Sequence, residues 1–161
     1  TEAAIEAELM LEENLAKIDQ SLAEVLGEEK YDTYAYFYVA DFECEPDEIT
    51  HQMGITPTEV TLKGQLLKNG NTRKRSFWKF HSSLPRSEPY QDEHLSNLLP
   101  KLIPKKSVID KLGEQYKVGI NCVGFYTNAN SGFHLSAELI SACAKLGVSV
   151  DFDLYNFSAE A

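Results

Sequence analysis

The chain has 161 residues, of which 25 are acidic and 15 basic, so its formal net charge at pH 7 is -10. This length allows one ordinary domain to bury its own hydrophobic core without disulfide or metal staples. The three cysteines lack the spacing of a zinc site, no apolar run approaches the roughly 18 residues of a membrane span, and the N-terminal residues are acidic where a signal peptide is basic. We therefore expect a cytoplasmic protein that is not inserted in a membrane.

Residues 1–30 hold most of the net negative charge of the chain, with nine acids and two bases. Apolar residues recur there at alternating steps of four and three, the a/d pattern of an amphipathic helix: Leu11, Leu15, Ile18, Leu22 and Val25. Gly27 is placed as its C-terminal cap. We predict an acidic amphipathic helix over residues 1–30 and a single domain over residues 31–161. For the helix we expect packing on its own domain, with a homodimer or partner contact and a mobile arm as the alternatives.

The sequence pattern in the first half of the domain predicts three strands and one short helix. The predicted helix begins at Asp47 or at the entry formed by Glu45 and Pro46, and it runs to Met53, where Gly54 ends it. A strong turn signal at 69–71 indicates an exposed loop or hairpin tip over 66–75. Segments rich in aromatic and β-branched residues predict strands over 33–42, 58–62 and 76–82.

The second half alternates helices and strands. Helical spacing of leucines and isoleucines covers residues 92–115, where Pro100 and Pro104 indicate two helical pieces or a kink. A second helix is predicted over 136–146, and Gly147 stops it. Strands are predicted over 117–127 and 148–155, with a turn over 128–132.

This order of elements predicts an α+β fold. We expect a two-layer sandwich of ferredoxin-like character, with a mostly antiparallel sheet and helices on one face only. The last strand then directs its apolar residues to the helices and three polar residues to an open face: Asp151, Asp153 and Tyr155. On the first strand, we expect the tyrosine side to be the open one, because phenols keep a polar tip that needs water or a partner. This side contains Tyr34, Tyr36, Tyr38 and Phe42, and the other side contains Phe37 and Val39.

Several short segments together resemble a known family. These are PDEIT at 46–50, GITPT at 54–58, KG at 63–64, the isolated Trp78, LLPKL at 98–102 and LGVSVDFDLY at 146–155. The combination is similar to the bacterial domain-of-unknown-function family numbered 4279, over about residues 34–156, with the N-terminal helix outside the match. The resemblance implies a small, stand-alone, mostly bacterial domain without an assigned activity, and it supplies no mechanism.

A search for catalytic and cofactor motifs finds none. The four histidines show no metal-ligand spacing, and neither a nucleophile elbow nor a glycine-rich phosphate loop is present. We therefore expect no metal and no cofactor. Asp151 and Asp153 lie roughly 7 Å apart on one strand face, which suits an acid and base pair, but a solvated strand face or lysine partners explain them more simply.

A 24-residue stretch, residues 63–86, contains seven basic residues and no acid. Within it, Trp78 and Lys63 suggest a cation-rich aromatic pocket for a small anion or a nucleotide base, whereas the alternation of the strand favours Trp78 in the core. An open face with tyrosines is also typical of RNA-binding sheets. Residues 31–161 are nevertheless net acidic, with 16 acids and 13 bases, and carboxylates on the same face repel phosphate, so we expect no nucleic-acid binding.

Two functional hypotheses follow. The first is a non-catalytic binding module, in the form of an immunity or antitoxin-like protein that covers a basic protein partner, because acidic complementarity speeds association with cationic proteins. The alternative is a domain that binds a small molecule or anion. This alternative includes an enzyme that acts on the bound molecule. The candidate binding residues for both are Tyr36, Tyr38, Lys63, Trp78, His81, Asp151, Asp153 and Tyr155.

Overall fold

A computed structural model describes residues 2–26, 31–127 and 132–157. Its elements are α1 (Glu2–Leu26), β1 (Tyr31–Ala40), α2 (Pro46–Met53), β2 (Glu59–Thr61), β3 (Phe77–His81), α3 (Gln91–Leu102), a 3-10 turn (Ile103–Lys105), α4 (Lys106–Gln115), β4 (Lys117–Tyr126), α5 (Ala137–Leu146) and β5 (Ser149–Asn156). This is the predicted order of helices and strands. Gly27 and residues 128–131 of the predicted turn lie outside the described residues.

The strands form one open sheet in the order β2-β3-β1-β4-β5. β1 lies at the centre and pairs antiparallel with β3 and β4, and β2 pairs antiparallel with β3. β5 joins β4 in parallel, as the crossover through α5 requires. The predicted α+β fold with a mostly antiparallel sheet is therefore confirmed, whereas its ferredoxin-like character stays a prediction.

The helices cover one face of this sheet. Alternate residues of β1, among them Phe37 and Val39, pack in one buried cluster with Ile49 of α2, Leu98 of α3 and Ile109 of α4. A separate cluster on the other face is built from strand residues: Tyr34, Tyr36, Tyr38, Ala40, Phe77, Val123 and Phe125. Among the described residues, helices thus contribute only to the first cluster, as the two-layer prediction requires. The expectation that Phe42 shares the tyrosine side is wrong: β1 ends at Ala40, so the strand alternation does not reach Phe42, which packs in the helix-covered cluster.

Local sequence explains where the helices begin and end. Pro46 occupies the first turn of α2, and Gly54 ends that helix with a φ of 63°, a left-handed conformation that glycine adopts without steric cost. In α5 the Ser136 side chain accepts a hydrogen bond from the N–H of Leu139 and caps the N-terminus. The predicted break in the long helical segment lies at Ile103–Lys105, because Pro104 interrupts the α-helical bonding there.

α1 is helical over its full described length, but its apolar side chains do not pack on the domain where they are described. Leu11 and Leu15, the first two positions of the predicted seam, are 60% and 53% exposed. The expectation that α1 packs on its own domain is therefore wrong for these two residues. The side chains of Ile18, Leu22 and Val25 lie outside the described part. No helix in the ranges that the structure describes is long and apolar enough to cross a bilayer.

Candidate functional site

The helix-free side of the sheet, which we call the open face, carries most of the candidate residues. The register places Tyr36 of β1 between His81 of β3 and Asn121 of β4, and it places Asn121 beside Asp151 of β5. Tyr38 and Asp153 lie on the same side, because side chains two residues apart on a strand share a face. The predicted orientation of Asp151, Asp153 and Tyr155, away from the helices, agrees with their exposure on alternate positions of β5.

An aromatic layer covers the centre of the open face. The ring of His81 stacks on Tyr34 and Tyr36, with centroids 5.6 and 5.1 Å apart. Cationic groups lie over the same rings: the Lys79 Nζ is 4.7 Å from the Tyr36 centroid and the Arg86 guanidinium is 4.2 Å from that of Tyr34. As a result, Tyr36 is only 8% exposed. The open face is therefore a packed polar-aromatic surface that presents ring edges and hydroxyls.

A hydrogen-bonded network links this layer to β5. The Asn121 Nδ2 donates to the Tyr36 hydroxyl at 3.0 Å and to Asp153 Oδ2 at 2.9 Å. The Tyr38 hydroxyl donates to Asp151 Oδ2 at 3.4 Å. Asn121 Oδ1 is buried and has no partner among the described residues. The network holds the two carboxylates in place with neutral donors alone.

Burial shifts the titration of the aromatic layer. Loss of solvent raises the pKa of Tyr34, Tyr36 and Tyr38 above 10.0, so the phenols stay protonated at neutral pH, and the Tyr38 hydroxyl can donate to Asp151. Burial also lowers the pKa of His81 below 6.5, against the opposing effect of Glu59, whose Oε2 lies 3.9 Å from the His81 Nε2. His81 therefore contributes a neutral ring and no positive charge near pH 7.

The charges on the open face are compensated unevenly. Arg75 pairs with Asp41 at 2.8 Å, and Arg86 donates to Asp32 at 2.9 Å. Lys79 lies 3.8 Å from Glu59. By contrast, the two carboxylates of β5 have no cationic partner within 4.0 Å among the residues the structure describes. The open face therefore carries a net negative charge at its β5 side.

A concavity of about 380 Å³ opens at this side of the face. Its lining contains Tyr36, Tyr38, Arg75, Phe77, Lys117, Asn121, Asp151, Phe152 and Asp153. Arg75 is held by Asp41, and its guanidinium also lies 5.0 Å from the Phe77 ring. Lys117 thus supplies the remaining cation against two carboxylates, which makes the concavity polar and on balance acidic.

Two candidate residues do not belong to this site. Trp78 is fully buried on the helix-covered face, where its Nε1 donates to Thr50 Oγ1 at 3.0 Å, so its inclusion as a binding residue is wrong and the core alternative is correct. Lys63 lies in the loop after β2 and does not line the concavity. The hydrogen bond from Arg75 is the main reason that the pKa of Asp41 is lowered, and the charge of Lys63 adds a smaller effect. Trp78 therefore cannot line a pocket with Lys63, in agreement with the core position that the alternation of the strand favoured.

Sequence reasoning missed Asn121, which joins both strands of the network. A signal was present, since asparagine is depleted in strands and stands at the centre of β4 among apolar residues. Buried His94 was also missed: its Nδ1 is 2.6 Å from Ser82 Oγ and its Nε2 is 3.0 Å from the Glu88 carbonyl. His94 is inaccessible to solvent, so its two hydrogen bonds fix the segment before α3 and are not available to a ligand.

The described ranges contain no cluster of three or more histidine, cysteine or acidic side chains that could hold a metal ion.

Among the comparisons with known proteins, the family model described as Domain of unknown function (DUF4279) matches residues 29–157. No curated protein and no solved structure matches the chain. The match covers the whole sheet with α2 to α5, and α1 precedes it.

Proposed function

We propose that this chain, which belongs to the DUF4279 family of domains of unknown function, is a non-catalytic binding module that holds a basic protein partner on its open face. The observation that supports this most is the pair of carboxylates, Asp151 and Asp153, that neutral donors position and no described cation neutralises. A lysine or arginine from a partner supplies the missing charge. Such charge-assisted bonds are shorter and stronger than neutral ones.

Aromatic side chains next to the carboxylates favour a protein partner. The Phe125 ring stacks with Tyr155 at 5.0 Å and with Phe157 at 5.7 Å, and these two partners are 49% and 61% exposed. Exposed aromatic residues are typical of the centres of protein interfaces, where few residues carry most of the binding energy, and charged residues are typical of the surrounding rim. The acidic pair then steers a cationic partner and the aromatic stack anchors it.

Within this function we propose an immunity- or antitoxin-like role, in which the acidic module covers a cationic protein in the bacterial cytoplasm. The described thiols of Cys44, Cys122 and Cys143 are all free, as suits a reducing compartment. Tagged full-length chain is expected to co-purify a basic protein from its own cells. Co-purification that persists after both β5 carboxylates are neutralised contradicts the role of the open face.

The direct test uses a short peptide of alternating lysine and threonine as the cationic probe, measured by calorimetry at low salt. Replacing both carboxylates, Asp151→Asn with Asp153→Asn, is expected to weaken binding by at least about tenfold, which corresponds to roughly 1.4 kcal/mol. The matched control, Glu43→Gln with Glu114→Gln, removes the same charge at exposed positions outside the open face and should change the affinity little. Equal loss in both double variants contradicts the proposal, because it shows only a response to net charge.

The alternative function, binding of a small molecule or anion, is supported by the concavity of about 380 Å³, which has a volume usual for small-molecule sites. Lys117 is its available cation, because Arg75 is held by Asp41. Inorganic phosphate and the corresponding glutamate-threonine peptide serve as the anionic probes. Binding of these probes that is lost after Lys117→Gln, and that is unchanged or stronger in the carboxylate variants, favours this alternative over a basic partner.

A further inference from the structure

We infer that the basic partner binds as an extended strand that adds to the outer edge of β5, an inference that rests on the proposed function. β5 is the last strand of the sheet order, it spans eight residues, and β4 is its only strand neighbour in the described part. The opposite edge strand, β2, has three residues. Long exposed edges present rows of unpaired backbone groups and are templates for strand addition.

The direction of the backbone groups on β5 follows from one hydrogen bond. The N–H of Phe157 donates to the Tyr126 carbonyl at 2.6 Å, which continues the parallel pairing with β4. Backbone groups of successive strand residues point alternately to the two edges, so the odd-numbered residues of β5 face β4. The N–H and C=O groups of Val150, Phe152 and Leu154 therefore point to the outer edge.

Side chains on the same strand define what the partner must carry. Asp151, Asp153 and Tyr155 project onto the open face. Residues of an added strand that lie directly opposite them project onto that face too, with Cβ atoms about 5 Å away. Because the carboxylates are two residues apart, the strand that fits has basic residues at alternate positions.

The same geometry disfavours a second copy of this chain as the occupant. Antiparallel pairing of two β5 edges centred on Phe152 places Asp151 of one copy opposite Asp153 of the other, and like charges directly opposite each other destabilise a strand pair. Edge charges of this kind protect a sheet from edge-to-edge association. An edge protected against its own copies still accepts a strand of opposite charge, which commits the site to a basic segment.

The test compares two N-methylated forms of the lysine-threonine peptide, which have the same composition and charge. In an antiparallel complex, the lysines lie opposite Asp151 and Asp153, and the N–H groups of the threonines point to β5. Methylating the threonine N–H groups is expected to weaken binding by tenfold or more, whereas methylating the lysine N–H groups, which point outward, should leave the affinity within about twofold. The opposite sensitivity indicates a parallel strand and also supports strand addition.

Hydrogen exchange of the full chain provides the second measurement. The unmodified peptide is expected to slow exchange of the amides of Val150, Phe152 and Leu154, whose N–H groups it would bond. Unchanged exchange there, or equal affinity of both methylated peptides, overturns strand addition while leaving recognition of a basic partner intact. Failure of the unmodified peptide to bind at all, or binding that is insensitive to the Asp151→Asn and Asp153→Asn pair, overturns the proposed function and this inference with it.

Discussion

Replacing Gly119 by alanine tests the packing of the open face. Gly119 of β4 lies opposite Tyr38 of β1, and the phenol ring crosses over the glycine. A Cβ at this position would lie 2.7 Å from the Tyr38 hydroxyl oxygen and 2.9 Å from its Cζ, well inside van der Waals contact. Tyr38 is only 6% exposed, and its ring packs edge-on against Tyr36 and Phe77, so it cannot swing aside without breaking other contacts.

The magnitude follows from two opposing effects. Alanine is favoured over glycine in a strand by roughly 0.5–1 kcal/mol, because it loses less backbone entropy on folding. Inserting a methyl group into a packed site costs roughly 1–3 kcal/mol, since neighbouring side chains must leave their rotamers. We expect the second effect to prevail, with a net destabilisation of about 1–2 kcal/mol, or a melting temperature lower by roughly 2–8 °C for a chain of this size.

Urea denaturation followed by the fluorescence of Trp78, the sole tryptophan, measures this change. A double-mutant cycle with Tyr38→Ala provides the control, because removal of the ring leaves the new methyl group without a clash. The cost of Gly119→Ala should then disappear or reverse in the Tyr38→Ala background. An alanine variant as stable as the wild type, or an unchanged cost in that background, would refute the described position of the Tyr38 ring.

Three further predictions follow from single residues. Burial lowers the pKa of His81, so the unfolded chain binds a proton more readily than the folded chain, and the free energy of unfolding falls as the pH drops below 6.5. His81→Gln should reduce this loss, as urea titrations at pH 7.5 and 5.5 can measure. Trp78→Phe leaves a cavity and removes the hydrogen bond from the indole to the Thr50 hydroxyl, and it should lower the free energy of unfolding by roughly 2–4 kcal/mol in denaturation followed by circular dichroism. Burial raises the pKa of Cys122 to about 12, so iodoacetamide at pH 8 should label Cys122 only after the chain unfolds, as peptide mass spectrometry can check.

Alternation within single strands predicted a large part of the open face. The tyrosines of β1 and the acidic residues of β5 lie on the side that their spacing indicates, because side chains on a strand have a period of two. A helix-free face also follows from the order of elements. These features depend only on local sequence, which explains why they needed no knowledge of strand order.

The membership of the site could not be predicted in the same way. Asn121 contacts Tyr36 and Asp153 because β4 lies between β1 and β5, an order that departs from the chain order of the strands. Trp78 and Lys63 are near each other in sequence, but one faces the helices and the other lies beyond the end of β2. The suggestion of a shared pocket depended on the short distance between the two residues along the chain. In the fold, the alternation of β3 and the end of β2 keep them apart.

The charge pattern of the acid-free basic stretch also failed to predict the electrostatics of the fold, because it does not show which carboxylates lie beside each cation. Residues 63–86 suggest a field that attracts anions when the sequence is considered alone. In the fold, three of its cations lie beside carboxylates from outside the stretch: Arg75 with Asp41, Lys79 with Glu59, and Arg86 with Asp32. The carboxylates without a described cationic partner belong instead to β5, at the edge of the open face, and the charge of the proposed partner is inferred from that strand and not from the most basic part of the sequence.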